Sequence, residues 1–130
     1  MIEAGNTPGF ELPNPHIIHA RAASYINDDH PDRYLDLAVG QTLRVAKEAG
    51  IKTLAMPAIG TGVFNFPPEL AAGIIVKALL SRASEHPEIT LVPLVLGLAL
   101  EAAKSLGNAY EQNAVIWCGA DAVPNLVLLI

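Results

Sequence analysis

The apolar and polar positions of this chain form strand-like segments that alternate with helix-like segments. Short apolar runs predict strands at residues 16–20, 53–56, 89–96, 114–118 and 125–130. Apolar residues at helical spacing predict helices at about residues 32–49, 68–82 and 98–112. The prolines and glycines of residues 1–15 predict an irregular lead-in. This order predicts one α/β domain over residues 1–130, with a mostly parallel or mixed sheet and an additional strand pair in the tail, residues 114–130.

Each of the first two predicted helices has one face that we expect to be buried. In the first helix this face comprises Leu35, Ala38, Val39, Thr42, Val45, Ala46 and Ala49. In the second helix it comprises Leu70, Ala71, Ile74, Ile75, Ala78 and Leu79. Gly50 is the expected C-terminal cap of the first helix, and Pro68 suits the first position of the second. Pro93 predicts an edge or an irregularity in its strand, because proline has no ladder donor.

The most informative segment is TLAMPAIGTGVFNFPP, residues 53–68. Its apolar start predicts a strand that is buried on both faces. A turn with Gly60 and Gly62 follows, and the next predicted helix begins at Pro68. A small-residue loop between a strand and a helix N-terminus suits an anion, because glycine permits close approach and the amides and helix dipole attract negative charge. The alternative is an ordinary tight turn that binds nothing.

Composition narrows the function classes. Apolar residues make up 52% of the chain, charged residues make up 16%, and the mean hydropathy is +0.37, which suggests surface hidden in a subunit contact. The net charge is -5 without a basic cluster, which argues against general nucleic-acid binding. No apolar stretch reaches the roughly 18 residues of a membrane span, and the start lacks a signal-peptide pattern, so a cytoplasmic protein is expected. The single cysteine, Cys118, excludes an internal disulfide framework.

Two polar segments raise the question of a metal site. His16 and His19 belong to one predicted strand, and we expect their side chains to face the same side. Residues 27–30, Asn-Asp-Asp-His, precede Pro31. No third ligand is placed for the histidines, and residues 27–30 are more typical of a solvated loop and helix cap. No metal and no cofactor are therefore predicted.

Three segments of the chain, in order, resemble the macro domain family of ADP-ribose-binding modules. Residues 7–13 and 16–20, TPGFELP and HIIHA, resemble the family's glycine-aromatic-x-leucine-proline lead into a VIH strand. Residues 34–50 resemble the helix that follows it. Residues 55–67, AMPAIGTGVFNFP, resemble the family's PAISTGVYGYP loop, although the family usually has serine at Gly60 and glycine at Asn65. The resemblance covers about residues 7–112.

The resemblance implies a three-layer macro-like fold and a site for ADP-ribose or a related nucleotide diphosphate. In macro domains the loop surrounds the diphosphate with backbone amides, and Phe64 corresponds to an aromatic that packs on the distal ribose. The ligand-binding residues implied here are Ala58, Ile59, Gly60, Thr61, Gly62, Val63, Phe64 and Asn65. Residues 96–98 would lie near the adenine.

The chain departs from the family pattern at its start. The family's first two strands, its adenine-reading aspartate, its asparagine-rich strand end and its first glycine-rich loop have no counterpart before Thr7. Relative to the family, the resemblance thus implies an N-terminally truncated fold with an open sheet edge. Either the tail strands fill the vacated sheet positions, with Asp121 then near an adenine or merely capping a turn, or two chains complete each other. A homodimer or higher oligomer is expected.

Three functions remain open. The first is binding of ADP-ribose, free or on an ADP-ribosylated protein, through residues 60–64. The second is hydrolysis of ADP-ribosyl or O-acetyl-ADP-ribose esters, for which His19, Asp28, Asp29 and His30 match no catalytic position of the family. The third is a degenerate macro fold that acts as an oligomeric structural or interaction protein. The intact loop favours the first function over the third, and the missing asparagine disfavours the second.

Overall fold

The computed structural model describes residues 3–93, 100–109, 114–118 and 124–128. These ranges contain, in chain order, β1 (Ala4–Pro8), β2 (His16–Ala20), α1 (Pro31–Glu48), β3 (Thr53–Met56), α2 (Pro68–Arg82), β4 (Thr90–Pro93), α3 (Leu100–Ala109), β5 (Ala114–Cys118) and β6 (Pro124–Leu128). A short 3-10 helix, Ala83–Glu85, follows α2. None of the helices in these ranges is long and apolar enough to cross a membrane.

The described strands form three two-stranded sheets. Strands β1 and β2 are antiparallel, β3 and β4 are parallel, and β5 and β6 are antiparallel. The predicted α/β class with mixed strand pairing and an additional C-terminal strand pair is confirmed. The suggestion that the tail strands fill a position in the main sheet is wrong for the described residues, because β5 and β6 pair with each other in a sheet of their own.

The prediction of an irregular lead-in over residues 1–15 is wrong, because this region contains β1. The strand pairs with β2 from Ala4 opposite Ala20 to Pro8 opposite His16. Pro8 occupies the last position of β1, where a missing N–H disturbs the ladder least. The residues between the strands form a turn that is closed by a hydrogen bond from the Gly9 amide to the Pro15 carbonyl, with a length of 3.0 Å. Gly5 pairs within the strand opposite His19, whereas Pro8 and Gly9 lie at the strand end and the start of the turn.

The two histidines of β2 do not form a pair. Asn6 Nδ2 lies 3.2 Å from His16 Nδ1, and Thr7 Oγ1 lies 2.8 Å from His19 Nε2. Asn6 and Thr7 are successive residues of β1, so their side chains point to opposite faces of the sheet. The expectation of a shared face was therefore wrong. The described residues also contain no group of three or more His, Cys, Asp or Glu side chains placed to hold a metal.

Helix α1 begins and ends close to its predicted bounds, but it is not capped as predicted. The N-cap residue is His30, with no side-chain capping hydrogen bond, and Pro31 occupies the first turn. Asp28 instead accepts a hydrogen bond of 2.7 Å from the Ser24 amide and so closes the loop before the helix. At the other end Gly50 has a φ of 68°, which confirms it as the residue that ends the helix in a left-handed conformation.

The core lies between the facing sides of α1 and α2. The buried residues of α1 are Leu35, Ala38, Val39, Thr42, Leu43, Val45 and Ala46, and those of α2 are Ala71, Ala72, Ile75, Val76, Ala78 and Leu79. Met56, Phe66 and Ile89 extend the same cluster. Most of the predicted stripe is confirmed, but Ala49 and Ile74 are only half-buried and Leu70 is 42% exposed.

Strand β3 is less enclosed than its sequence predicts. Only Met56 is buried, Leu54 is half-buried, and Thr53 and Ala55 are exposed. The prediction of a strand buried on both faces was therefore wrong. The reason is that β3 has one neighbour among the described strands, β4, whose last residue, Pro93, lies opposite Met56. The parts of the predicted third strand and helix at residues 94–99 and 110–112 lie outside the described residues.

A bidentate ion pair links α1 to α2. Arg82 Nη2 and Nη1 lie 2.7 and 3.0 Å from the two Asp36 oxygens, and these hydrogen bonds lower the pKa of Asp36. Gly40 makes room for this arrangement, because a Cβ there would lie 2.7 Å from Arg82 Nε. Gly73 is also helical, but a Cβ there would meet nothing within 4 Å.

These two glycines give a matched test of the interhelical contact. Gly73→Ala should raise the free energy of unfolding by about 0.5–1 kcal/mol, the usual cost of a helical glycine relative to alanine. Gly40→Ala should fall short of this gain, because the new methyl group displaces the guanidinium from Asp36. Urea unfolding of both variants measures the difference. Equal gains would show that Arg82 does not depend on the open space at Gly40.

His86 is a buried titratable group without a hydrogen-bond partner for Nδ1 among the described residues. Its side chain follows the 3-10 helix and is 7% exposed. Burial lowers the pKa of His86 below the ordinary value of 6.5, and the positive charge of Lys47 acts in the same direction. Protonation therefore favours the unfolded chain.

The stability of the protein should fall as the pH decreases through 6.5, the ordinary pKa of histidine. In that range the unfolded chain binds a proton that the folded chain does not. The stability stops falling once the pH is below the pKa of His86 in the folded protein. Urea unfolding at pH 7.5 and 5.5 measures the effect, and His86→Leu should reduce it. His30→Leu, at an exposed histidine, is the control and should retain it. The same pH dependence in wild type and His86→Leu would contradict this assignment.

Candidate ligand-binding loop

The loop at residues 57–67 connects β3 to α2 and lies at the carboxyl end of β3. The segment after β2 reaches the same place, because the Tyr25 amide donates a hydrogen bond of 2.9 Å to the Phe64 carbonyl. The loop after β3 and the segment that follows β2 therefore meet here. In α/β proteins this is the usual position of a ligand site.

Internal hydrogen bonds fold the loop into successive tight turns. The backbone bonds run from Ile59 N to Pro57 O, from Thr61 N to Ala58 O, from Asn65 N to Gly62 O and from Phe66 N to Gly60 O, with lengths of 2.8, 3.3, 2.9 and 3.0 Å. The Thr61 hydroxyl adds a bond of 2.7 Å to the Ala58 carbonyl. The loop conformation is thus determined by its own backbone.

Five amides of the loop remain available. Within the described part of the chain, the N–H groups of Ala58, Gly60, Gly62, Val63 and Phe64 donate to no acceptor. The amides of Ile59 and Thr61, which the resemblance also assigns to a diphosphate, are instead used inside the loop. Unpaired amides close together in a turn are the basis of backbone anion sites.

Backbone conformation explains two unusual residues of the loop. Gly60 has a φ of 86°, and a Cβ there would lie 3.2 Å from Phe66 Cδ2. Asn65 has a φ of 58°, and its Nδ2 donates to the Val63 carbonyl at 3.1 Å. Glycine and asparagine are the residues that adopt this left-handed region most readily. The conformation therefore requires glycine at position 60 and tolerates asparagine at position 65.

Phe66 attaches the loop to the core. Its side chain is 2% exposed and belongs to the cluster between α1 and α2. Tyr25 packs on it with a distance of 5.2 Å between ring centroids and an interplanar angle of 55°. Sequence reasoning missed the Tyr25 segment. The available signal was the run of small residues Ala22, Ala23 and Ser24 directly after β2, because small residues permit a close approach of two loops.

The start of α2 contributes less positive potential than a typical helix N-terminus. The N-cap and first helical residues are Pro67 and Pro68, neither of which has an N–H group. Glu69 adds a carboxylate to the first turn. An anion at this site would therefore depend on the loop amides rather than on the helix dipole.

The structure places all eight predicted site residues, Ala58 to Asn65, in this one loop. Among the candidates weighed for catalysis, His19 is bonded to Thr7, and Asp28 is bonded to the Ser24 amide and lies 3.6 Å from Arg21. Residues 96–98, expected near an adenine, and Asp121 lie outside the described residues.

Known proteins resemble this chain in both sequence and fold. The macro domain family model matches residues 2–75, more than half of the chain. A macro domain-containing protein from Cupriavidus necator is 36% identical over 94 residues, which are 72% of this chain and 54% of that protein. One from Ralstonia nicotianae is 35% identical over 88 residues, which are 67% of this chain and 52% of that protein. The chain thus spans about half the length of these relatives.

Solved structures show the same fold. The Oceanobacillus iheyensis macrodomain with ADP has a TM-score of 0.66 and 24% identity, and the match covers 84% of this chain and 57% of that protein. Together with the match over residues 2–75, this similarity shows that the chain belongs to the macro domain family.

Proposed function

We propose that this protein binds ADP-ribose, or a related nucleotide diphosphate, through the loop at residues 58–65. The observation that carries the proposal is the set of five loop amides without an acceptor in the described part of the chain, those of Ala58, Gly60, Gly62, Val63 and Phe64. A diphosphate offers several charged acceptor oxygens within a few ångströms of one another. Hydrogen bonds to charged groups contribute about 1.5–3 kcal/mol each, roughly twice the value for neutral pairs.

The side chains around the loop suit the ribose and adenine groups of such a ligand. Val63 is 85% exposed, Phe64 is half-buried, and Tyr25, whose amide bonds to Phe64, is 41% exposed. Aromatic and apolar side chains beside a backbone anion site can pack on the faces of ribose and adenine. In this proposal Phe64 contacts the distal ribose.

The family supports a nucleotide ligand in general terms. The Oceanobacillus iheyensis macrodomain is described with ADP, and a glycine-to-valine mutant of that protein is described with ADPR. The whole ADP-ribose site of this protein is a proposal, because the chain spans about half the length of its relatives. The partner would be free ADP-ribose or an ADP-ribosylated protein in the cytoplasm.

A structural role is the second candidate. The exposed residues of β3 and the presence of a single neighbouring strand among those described favour a protein that completes its sheet by association. Nothing among the described residues favours hydrolysis in the same way, because Asp28 and His19 are engaged in hydrogen bonds that hold their own loops.

Gly62→Val tests the proposed site. Gly62 has open space around it and no positive φ, so the loop should accept a side chain without refolding. The isopropyl group would cover the free amides, and the affinity for ADP-ribose should fall more than tenfold, which corresponds to about 1.4 kcal/mol. Calorimetric titration of wild type and variant with ADP-ribose measures the change, with ADP and adenosine as comparison ligands.

Gly5→Val is the matched control, since it makes the same change at an exposed position of β1 where a Cβ meets nothing within 4 Å. It should bind like wild type. Binding by wild type that survives in Gly62→Val would refute the loop assignment. Absence of heat and of thermal stabilisation at millimolar ADP-ribose in wild type would refute the proposed function and leave the structural role.

A further inference from the structure

A cavity of about 870 Å³ lies beside β2 and β3. Its lining consists of Thr42 and residues from two segments, 13–20 and 50–59. All four residues of β3 line it, as do the successive residues His16, Ile17 and Ile18 of β2. Successive side chains of a strand point to opposite faces, so a cavity over one face would contact alternate residues only. The cavity therefore adjoins the edges of the two strands.

Neither of these edges pairs with another of the described strands. Among the described strands, β2 pairs only with β1, and β3 pairs only with β4. Each strand thus presents one row of free N–H and C=O groups. Unpaired strand edges readily accept a further strand, because the new ladder satisfies backbone groups on both sides.

The cavity has the size of one short strand. A strand of five residues is about 17 Å long, and it occupies about 4.8 Å within its sheet and about 10 Å through it, which gives a volume of roughly 800 Å³. The cavity volume of about 870 Å³ is therefore sufficient for one such strand. Strand β2 has five residues and β3 has four, so a five-residue strand is long enough to pair along both edges.

The lining favours a mainly apolar strand. Its larger side chains are mostly aliphatic, namely those of Ile17, Ile18, Ile51, Leu54, Met56 and Ile59, and Lys52 is the charged residue among the lining residues. The chain itself contains a segment with this character: residues 124–130, PNLVLLI, have no charged residue. Its described part, β6, has five residues and pairs only with β5 among the described strands.

We propose that β6 of a second copy of this chain enters the cavity as a strand between β2 and β3. The chain's own β6 pairs with β5 in a separate sheet, and we assign the position in the cavity to the β6 strand of a second copy. In the β5–β6 pair, β6 forms a hydrogen-bond ladder along one edge only, whereas between β2 and β3 it would form ladders along both edges. Its apolar side chains would also be buried against the aliphatic lining of the cavity, which favours association. Mutual exchange yields a symmetric dimer with two such junctions.

Two variants and a mixture of them test the exchange. Ala55→Asp introduces a charge into the cavity at an exposed residue of β3, and Leu126→Asp introduces one into the donated strand. Each should weaken dimerisation at least tenfold by sedimentation equilibrium. Ser84→Asp, an equal charge change at an exposed residue outside the cavity lining, is the control and should not.

The mixture gives the decisive result. Ala55→Asp retains an intact strand, and Leu126→Asp retains an intact cavity, so a heterodimer of the two has one unaltered junction. Association should therefore be stronger in an equimolar mixture than in either variant alone. Hydrogen exchange of wild type should show that amides of β2 and β3 become protected as protein concentration increases.

Other outcomes overturn the proposal and identify the alternative. A monomer in which both edges are protected at all concentrations means that the chain's own tail fills the cavity. A monomer with unprotected edges means that the cavity stays open, and a dimer with unprotected edges means that it associates elsewhere. None of these measurements involves ADP-ribose, so the exchange and the proposed ligand function can fail independently.

Discussion

The burial of Phe66 is the interaction on which the loop depends. Its ring belongs to the cluster between α1 and α2, and its amide donates to the Gly60 carbonyl. The backbone at Gly60 passes so close to this ring that a Cβ would be 3.2 Å away. Because the core holds Phe66 and Phe66 holds Gly60, the free amides around Gly60 belong to a rigid turn. A preorganised backbone site loses little conformational entropy when it binds a ligand.

The same constraint explains which features of the loop were predictable. The strand–loop–helix order and the glycine positions follow from the printed sequence, because glycine, proline and a short apolar run have strong local preferences. The sequence does not indicate which loop amides form hydrogen bonds within the loop and which remain free for a ligand. Ile59 and Thr61 were predicted to contact the ligand, yet their amides are used by the loop, and this distinction depends on turn geometry that composition does not encode.

The helices show the strength of sequence patterns, and the strands show their limits. The bounds of α1 and α2 were predicted to within about one residue because their apolar faces repeat over several turns. Strand β1 was missed because AGNTP has no apolar alternation and is held mainly by its ladder with β2. Leu70 was misassigned to the core because it lies in the first turn of α2, where a side chain at apolar spacing can still be exposed.

The edge of β3 and the ligand loop are structurally connected, because the same cavity borders both. Every residue of β3 borders the cavity, and so do Pro57 and Ile59 at the start of the loop. A strand in this cavity would therefore support the beginning of the loop as well as the sheet. Phe66 anchors the other end of the loop in the core. The two ends of the loop are therefore held in place by different contacts. The conformation near Gly60 depends on the folding of one chain, whereas the conformation near Pro57 depends on what pairs with β3.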